Sequence, residues 1–369
     1  MIDQKIWDFV KDKIDKNVAE IGAAYPNAAI DGIYNQGNVR DWISGFWPGI
    51  LWKGYQVTED EKFAMLAREI EANMDQKLKD TEWLDHDIGF IWSLTSVSDY
   101  KMTGNQESRR RALLAANLLM GRFNLAGNFI RAWNDRADLD TKGLVIIDSV
   151  MNMPLLFWAA EETGDPRFRH VAEAHLGTII QTFFREDGSV AHTGIFDPET
   201  GAFIEEIGNQ SFAAGSAWSR GTAWALYGFA LAGRYTRRPE YIDAAKMVAD
   251  FFIEQMGEET APAWDFRAEA QYGEGRILLD TSAAAIAACG LLVFAKLTGE
   301  SHYREQGEKI INNLYHHHST KDDPTHQGML VDATGHYPKQ KNLEVSLIYG
   351  DYFFTEAVVT ALFDKPLFW

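Results

Sequence analysis

Cysteine occurs once among 369 residues. An intramolecular disulfide is therefore excluded, as is any cysteine-rich metal or iron–sulfur centre. Cys289, inside Ala287-Ala288-Cys289-Gly290-Leu291, reads as a small buried hydrophobe and not as a nucleophile. Positive charge is also scarce: 35 Lys and Arg stand against 53 Asp and Glu, a net −18. That field repels a phosphate backbone, so nucleic acid is not an expected partner. No run of about 18 apolar residues is free of charge, and no membrane span is expected. The first residues, Met1-Ile2-Asp3-Gln4-Lys5-Ile6-Trp7, are broken by charge and lack the apolar core of a signal peptide. The expected compartment is the cytoplasm. Neither a Walker A motif nor a dinucleotide fingerprint in a strand–helix setting is present, so no cofactor is implied.

Large rings, by contrast, are plentiful: 12 Trp, 13 Tyr and 22 Phe must be buried or presented to a ligand. The strongest organisational signal is a repeat. An apolar stretch ends in a Thr-centred turn, and an amphipathic stretch follows. The turns are Thr58-Glu59-Asp60, Thr103-Gly104-Asn105, Thr163-Gly164-Asp165, Thr236-Arg237-Arg238-Pro239 and Thr298-Gly299-Glu300. Phe63, Phe168, Tyr241 and Tyr303 follow four of them at similar distances. The stretch before a turn, such as Met153-Pro154-Leu155-Leu156-Phe157-Trp158, is apolar nearly all round and predicts a buried helix. The stretch after it predicts a half-exposed helix. A sixth apolar start, Tyr349-Gly350-Asp351-Tyr352-Phe353, takes the N-terminal helix (about residues 4–23) as its outer partner.

Six inner helices inside an outer ring make an (α/α)6 barrel, a single all-α domain over residues 1–369 with short strands in loop insertions. An open solenoid would need polar capping repeats, whereas the last residues, Pro366-Leu367-Phe368-Trp369, are apolar. Aligned on the turns, a polar residue stands near each inner-helix start: Asp41, Asp87, Asp148, Arg220, Asp280 and Asp351. In a closed barrel these collect at one end of the axis. An Asp before a helix is usually an N-cap. Asp280 and Asp351 fit that role; Asp87 and Asp148 fit it less well. Asp148 follows Leu144-Val145-Ile146-Ile147, and an apolar surround raises a carboxyl pKa toward the range of a general acid. Trp42, Trp133, Trp218 and Trp224 supply rings for sugar faces, and Arg220 is the cation placed to clamp a carboxylate in bidentate fashion. Two carboxyls in a ring-lined cleft point to glycoside chemistry.

These segments match a known family. Trp83-Leu84-Asp85-His86-Asp87-Ile88-Gly89-Phe90 resembles the His-Asp-Ile-Gly-Phe motif of unsaturated glucuronyl hydrolases, glycoside hydrolase family 88. Ile146-Ile147-Asp148-Ser149-Val150-Met151-Asn152 resembles the family's catalytic-aspartate segment. Asp41-Trp42-Ile43-Ser44-Gly45-Phe46-Trp47, Ser216-Ala217-Trp218-Ser219-Arg220-Gly221, Trp264-Asp265-Phe266 and Tyr349-Gly350-Asp351-Tyr352 also match, in order along the chain. The resemblance implies an (α/α)6 barrel acting on short oligosaccharides that end in a 4,5-unsaturated uronic acid, the products of lyases on glycosaminoglycans such as hyaluronan and chondroitin. It implies hydration of the vinyl-ether double bond. Asp148 protonates C4 and then deprotonates the water that adds at C5. Asp87 orients sugar hydroxyls and tunes Asp148, with His86 beside it. By the same resemblance His192, Gln210 and Arg220 contact the uronate or the water, Trp42 and Trp133 border the sugar, and Tyr337 sits near a matching loop tyrosine.

This chain departs from the family's pattern in places. Asp85 stands before a single His86, a third carboxylate that either raises its neighbours' pKa or faces solvent. Lys339 and Lys341 sit in a loop where they either bind a sulfate on the second sugar or are simply solvated. Metal sites are not expected. Adjacent histidines in His316-His317-His318 point apart on a helix, and 134–140 lacks the Gly and closing Glu of a calcium loop. Three other readings stand beside this one: an unsaturated rhamnogalacturonyl hydrolase for pectin fragments, a sugar 2-epimerase on the same barrel, and a non-catalytic helical scaffold. The sequence sets no oligomeric state.

Overall fold

The computed structural model describes residues 2–74, 77–135, 140–269 and 275–369. From the N-terminus, α1 (Gln4–Glu20) is followed by a hairpin of β1 (Pro26–Ile30) and β2 (Ile33–Gln36). The first inner helix, α2 (Phe46–Thr58), pairs with outer α3 (Glu61–Met74). The second inner rod is α4 (Ile88–Trp92), a π-helical turn Ser93–Val97 and α5 (Ser98–Thr103), backed by α6 (Gln106–Met120). Two short strands, β3 (Phe123–Asn124) and β4 (Phe129–Ile130), precede β5 (Leu144–Ile146), which runs straight into a 3₁₀ turn, Ile147–Asn152, and inner α7 (Met153–Thr163). Outer α8 (Pro166–Phe183), strands β6 (Thr193–Phe196) and β7 (Phe203–Ile207), inner α9 (Ser219–Thr236) and outer α10 (Pro239–Met256) follow. Inner α11 (Thr281–Thr298), outer α12 (Ser301–His317), strands β8 (Ala333–His336) and β9 (Lys341–Leu347), and inner α13 (Ile348–Phe363) complete the described elements.

The Thr-centred turns owe their recurrence to a hydroxyl that bonds twice. Thr163 donates to the Ala159 carbonyl at 2.7 Å and accepts the Asp165 N–H at 3.2 Å. Thr58, Thr236 and Thr298 make the same two bonds. Each closes a helix whose next residue is left-handed: Glu59, Gly164, Arg237 and Gly299. Glycine takes that conformation without strain. The outer helix then starts at once, at Pro166 and Pro239 with proline in its first turn. Phe63, Phe168, Tyr241 and Tyr303 turn inward and are buried.

Close approach of backbones closes the ring. A Cβ on Gly89 would lie 2.3 Å from the Asn152 Cα, so the second and third rods touch without a side chain between them. A Cβ on Gly49 would lie 2.9 Å from the Tyr352 ring and 3.2 Å from the Leu94 Cβ, which ties the first rod to both the sixth and the second. Gly228 meets Val150, Gly290 meets Leu226, and Gly350 meets Ser282. The circuit of six is thereby complete, and outer α1 packs on α13. Gly89→Ala should therefore force the second and third rods apart, with a loss of about 1–3 kcal/mol and a fall in turnover, because both site carboxylates ride on those rods. A variant with unchanged melting temperature and full activity would contradict this packing.

Among the described residues, three small antiparallel sheets sit in the insertions, ordered β2-β1-β9-β8, β5-β6-β7 and β3-β4. They deliver site residues: β5 ends one residue before the 3₁₀ turn that carries Asp148, and β9 runs into α13. Leu367, Phe368 and Trp369 are buried under the barrel, with Trp369 stacked on Phe353. Helix α11 is long and apolar enough to cross a membrane by length and composition, with Lys296 as its one charge. Its neighbours bury 83% of it, so it is a core helix of the barrel. Cys289 on α11 is buried and donates to the Phe353 carbonyl.

The register of polar residues at the helix starts holds only in part. Asp41 is exposed and accepts the Asn38 N–H. Asp280 caps α11 by accepting from the Ser282 N–H, as its position suggested. Asp351 is not a cap. It lies inside the first turn of α13, where its carboxylate accepts from the Met329 and Leu330 N–H groups and the Tyr34 hydroxyl.

Candidate active site

Asp87 occupies the N-terminal cap position of α4, yet its side chain makes no capping bond. Its own N–H donates to the Asp85 carboxylate at 2.9 Å, and its side chain lines the central cleft. It is 7% exposed. Burial, then the charges of Asp85 and Asp148, push its pKa well above the usual carboxylate range. Asp85 is thus a group that raises its neighbour, the first of the two readings its position allowed. His86 is buried, with Nε2 3.6 Å from the Asp87 carboxylate. Burial and the Arg122 charge hold His86 neutral, well below its usual pKa.

Asp148 sits in the 3₁₀ turn that joins β5 to α7. The turn is anchored from outside: the Ile147 N–H donates to the His192 carbonyl at 3.0 Å. The Asp148 Oδ1 atom is buried and has no hydrogen-bond partner. Burial raises its pKa to about 6, against smaller opposing pulls from its own backbone N–H and the Arg220 charge. A buried carboxyl oxygen without a partner is costly to the fold. It is the kind of group that a reacting atom can occupy.

Asp87 and Asp148 line one cleft of about 230 Å³. Of the other residues named from sequence, Trp42, His86, Trp133 and Gln210 line it, as do Trp218, Arg220, Trp224 and Lys341. His192, Tyr337 and Lys339 are not on its surface. His192 lies one layer behind: its Nδ1 donates to the Gly208 carbonyl at 2.9 Å, and its ring packs on Trp218. Burial drives its pKa down to about 3. Its carbonyl accepts the Ile147 N–H beside Asp148. Tyr337 stacks on Trp264, ring centroids 4.4 Å apart. Lys339 is exposed.

Arg220 requires a correction. A guanidinium free to clamp a carboxylate was the reading from sequence. In the structure its NH1 group donates to Asp280, to the Thr334 carbonyl at 2.8 Å and to Ser282, while NH2 donates to the Gly335 carbonyl at 2.7 Å and the Gln210 Oε1 at 3.3 Å. The Arg220 plane also lies over Trp218 and Tyr349. With both terminal nitrogens engaged, a bidentate clamp is not available. Arg220 instead welds α9 to α11 and to the β8 end, and it fixes Gln210 by its oxygen so that the amide nitrogen of Gln210 is the end left to donate.

Four polar or aromatic lining residues escaped the sequence reading: Asn27, His336, Asn342 and Tyr349. Asn27 and Asn342 belong to β1 and β9, in the sheet that pairs Ala28 with Leu347. That pairing spans nearly the whole chain and leaves no local signal. Tyr349 could have been found, since it sits in the quoted segment before Asp351, and its ring is 4.9 Å from Trp42. A larger cavity, about 480 Å³, lies between the β1–β2 hairpin and residues 323–326 and contains none of the named residues.

His318 is spent on Asp332 and Thr260, and among the described residues no group of three His, Cys, Asp or Glu could hold a metal ion. Residues 136–139 of the calcium-like stretch lie outside the described residues; Asp135 and Asp140 at its ends pair with Arg131 and Lys142.

The chain is similar to known proteins over nearly its whole length. The sequence model for Glycosyl Hydrolase Family 88 matches residues 13–352. An unsaturated glucuronyl hydrolase of Bacillus sp. (strain GL1) is 36% identical over 352 residues, covering 93% of this chain and 92% of that protein. An unsaturated chondroitin disaccharide hydrolase of Streptococcus pneumoniae (strain ATCC BAA-255 / R6) is 30% identical over 348 residues, covering 93% and 87%. A solved structure named for dGlcA-Glc-Rha-Glc on a UGL variant superposes with a TM-score of 0.92 at 33% identity, covering 98% of this chain and 97% of that one.

Proposed function

The chain belongs to glycoside hydrolase family 88, and from that premise we propose that it releases a 4,5-unsaturated uronic acid from the non-reducing end of lyase-generated glycosaminoglycan di- or oligosaccharides. The reaction is hydration of the vinyl-ether double bond, with Asp148 as both acid and base. One observation carries this reading: a buried carboxyl oxygen of Asp148, without a partner and with its pKa raised to about 6, on the same cleft as a second raised carboxyl.

The chemistry runs through one proton store. Protonated Asp148 gives its proton to C4 of the unsaturated ring, and positive charge develops at C5 and the ring oxygen. The Asp148 carboxylate then takes a proton from water as the water oxygen bonds to C5. The hemiketal opens, and the neighbouring sugar leaves with its hydroxyl. Asp87, whose pKa is raised by burial and by the charges of Asp85 and Asp148, hydrogen-bonds a sugar hydroxyl. Gln210 offers its amide nitrogen to the uronate or the water. Trp42 and Tyr349 form a ring pair along the wall, and Trp133 is placed on the same cleft surface. Lys341 is exposed at the cleft edge and suits an anionic substituent, such as a sulfate, on the second sugar.

The test is loss of the double-bond absorbance on chondroitin, hyaluronan and rhamnogalacturonan disaccharides. Turnover of the glycosaminoglycan substrates is expected. Preference for the rhamnogalacturonan substrate would reject this reading in favour of pectin fragments. Because the acid must carry its proton, kcat/KM should fall about tenfold per pH unit above pH ~6. A rate that rises through pH 7 to 8 would exclude Asp148 as the acid.

A further inference from the structure

The cleft has the volume of roughly one sugar ring, so the sugars that follow the unsaturated ring must lie over its rim. Trp83 stands three positions before His86, in the segment that leads into the cleft. Of the tryptophans named so far it is the most open, 52% exposed. An exposed ring of this size leaves apolar surface in water that the fold has not used.

Its surroundings hold it as a rigid plate. The Arg40 guanidinium covers one face, 4.3 Å from the ring centroid, and Arg40 is itself steadied by Asp80 at 3.5 Å. The backbone beneath is pinned on both sides. Asn134 Nδ2 donates to the Glu82 carbonyl at 2.7 Å and to the Leu84 carbonyl at 2.9 Å, and Arg122 donates to the Leu84 carbonyl at 2.8 Å. These anchors also locate the plate. Arg40 precedes Trp42, Asn134 follows Trp133, and Trp83 precedes His86 and Asp87; all four of those neighbours line the cleft. Trp83 is therefore continuous with the site on two sides.

We propose that Trp83, backed by Arg40, is an outer subsite that stacks the third sugar of an unsaturated oligosaccharide. The proposal rests on the glycosidase reading given above. A tryptophan face offers flat area at little entropy cost, and the Arg40 contact backs one face of the ring. A disaccharide has no third sugar to place on the plate; a tetrasaccharide does.

The experiment compares an unsaturated disaccharide with the unsaturated tetrasaccharide of the same polymer. Trp83→Ala should raise KM for the tetrasaccharide by about three- to tenfold and leave both constants for the disaccharide unchanged. Trp83→Phe, which keeps a ring, should recover most of the loss. An unchanged tetrasaccharide KM in Trp83→Ala, or an equal rise for both substrates, would overturn the subsite. Failure of the underlying reading looks different: the wild-type protein would then turn over neither substrate.

Discussion

Asp148→Asn should lower kcat on an unsaturated disaccharide by at least about 10³-fold, the upper part of what a positioned general acid and base contributes. The same variant should not lose stability. The Asp148 pKa of about 6 lies above the roughly 3.9 of an unfolded aspartate. The native state therefore binds this proton more tightly than the unfolded state does. Its stabilising contribution is full below about pH 4 and is lost as pH rises through about 6. Asparagine carries no charge to desolvate, so at pH 7 to 8 the variant should melt at or above the wild-type temperature. At pH 4 the advantage should vanish. Calorimetry at the two pH values, beside steady-state rates, measures both halves. Retention of more than a few per cent of kcat would remove Asp148 from the mechanism, and a lower melting temperature at pH 7.5 would show that its carboxylate is satisfied after all.

Arg220→Met should show a different pattern, losing activity and fold together. Asp280 is 0% exposed, and its charged partner is Arg220. Removing one member of a buried pair costs about 3–5 kcal/mol, because the other charge stays behind without compensation. The carbonyls of Thr334 and Gly335 lose their donors as well. Converting Asp280 to Asn in the same protein should restore much of the stability, since the stranded charge is then gone. Activity should not return in full: Gln210 has lost its anchor, and Asp148 has lost the cation that pulls its pKa down. The alkaline limb of the rate profile should move to higher pH in the double variant. A single variant that melts like the wild type would show that the pair is not the brace described above.

The two expectations contrast because the two residues were legible to different degrees. The motif around Asp148 marks a carboxyl in an apolar run, and burial is a consequence of that run. Arg220 was equally visible, but its partners were not. Asp280 is 60 positions away and the Thr334 carbonyl 114. Nothing local shows that the guanidinium is already spoken for. The polar residues at the helix starts illustrate the same limit. Counting back from the turns treats every inner helix as starting at one depth. In fact Asp351 lies inside the first turn of α13, and Asp41 precedes a 3₁₀ turn and stays in solvent. Tyr337 and Lys339 fell outside the cleft for a related reason: the β8–β9 hairpin turns Tyr337 onto Trp264, while the next strand carries Lys341 and Asn342 to the cleft wall.

Short-range chemistry needs no tertiary context, and it is what the sequence by itself determined: hydroxyl-closed turns, left-handed caps, helices apolar on every side, and hence six paired rods with two carboxyls in place. The tertiary structure decided which of the charged groups are still unpaired once the ring is closed. Burial and pairing are sums over neighbours from distant parts of the chain, and no window along the sequence contains them.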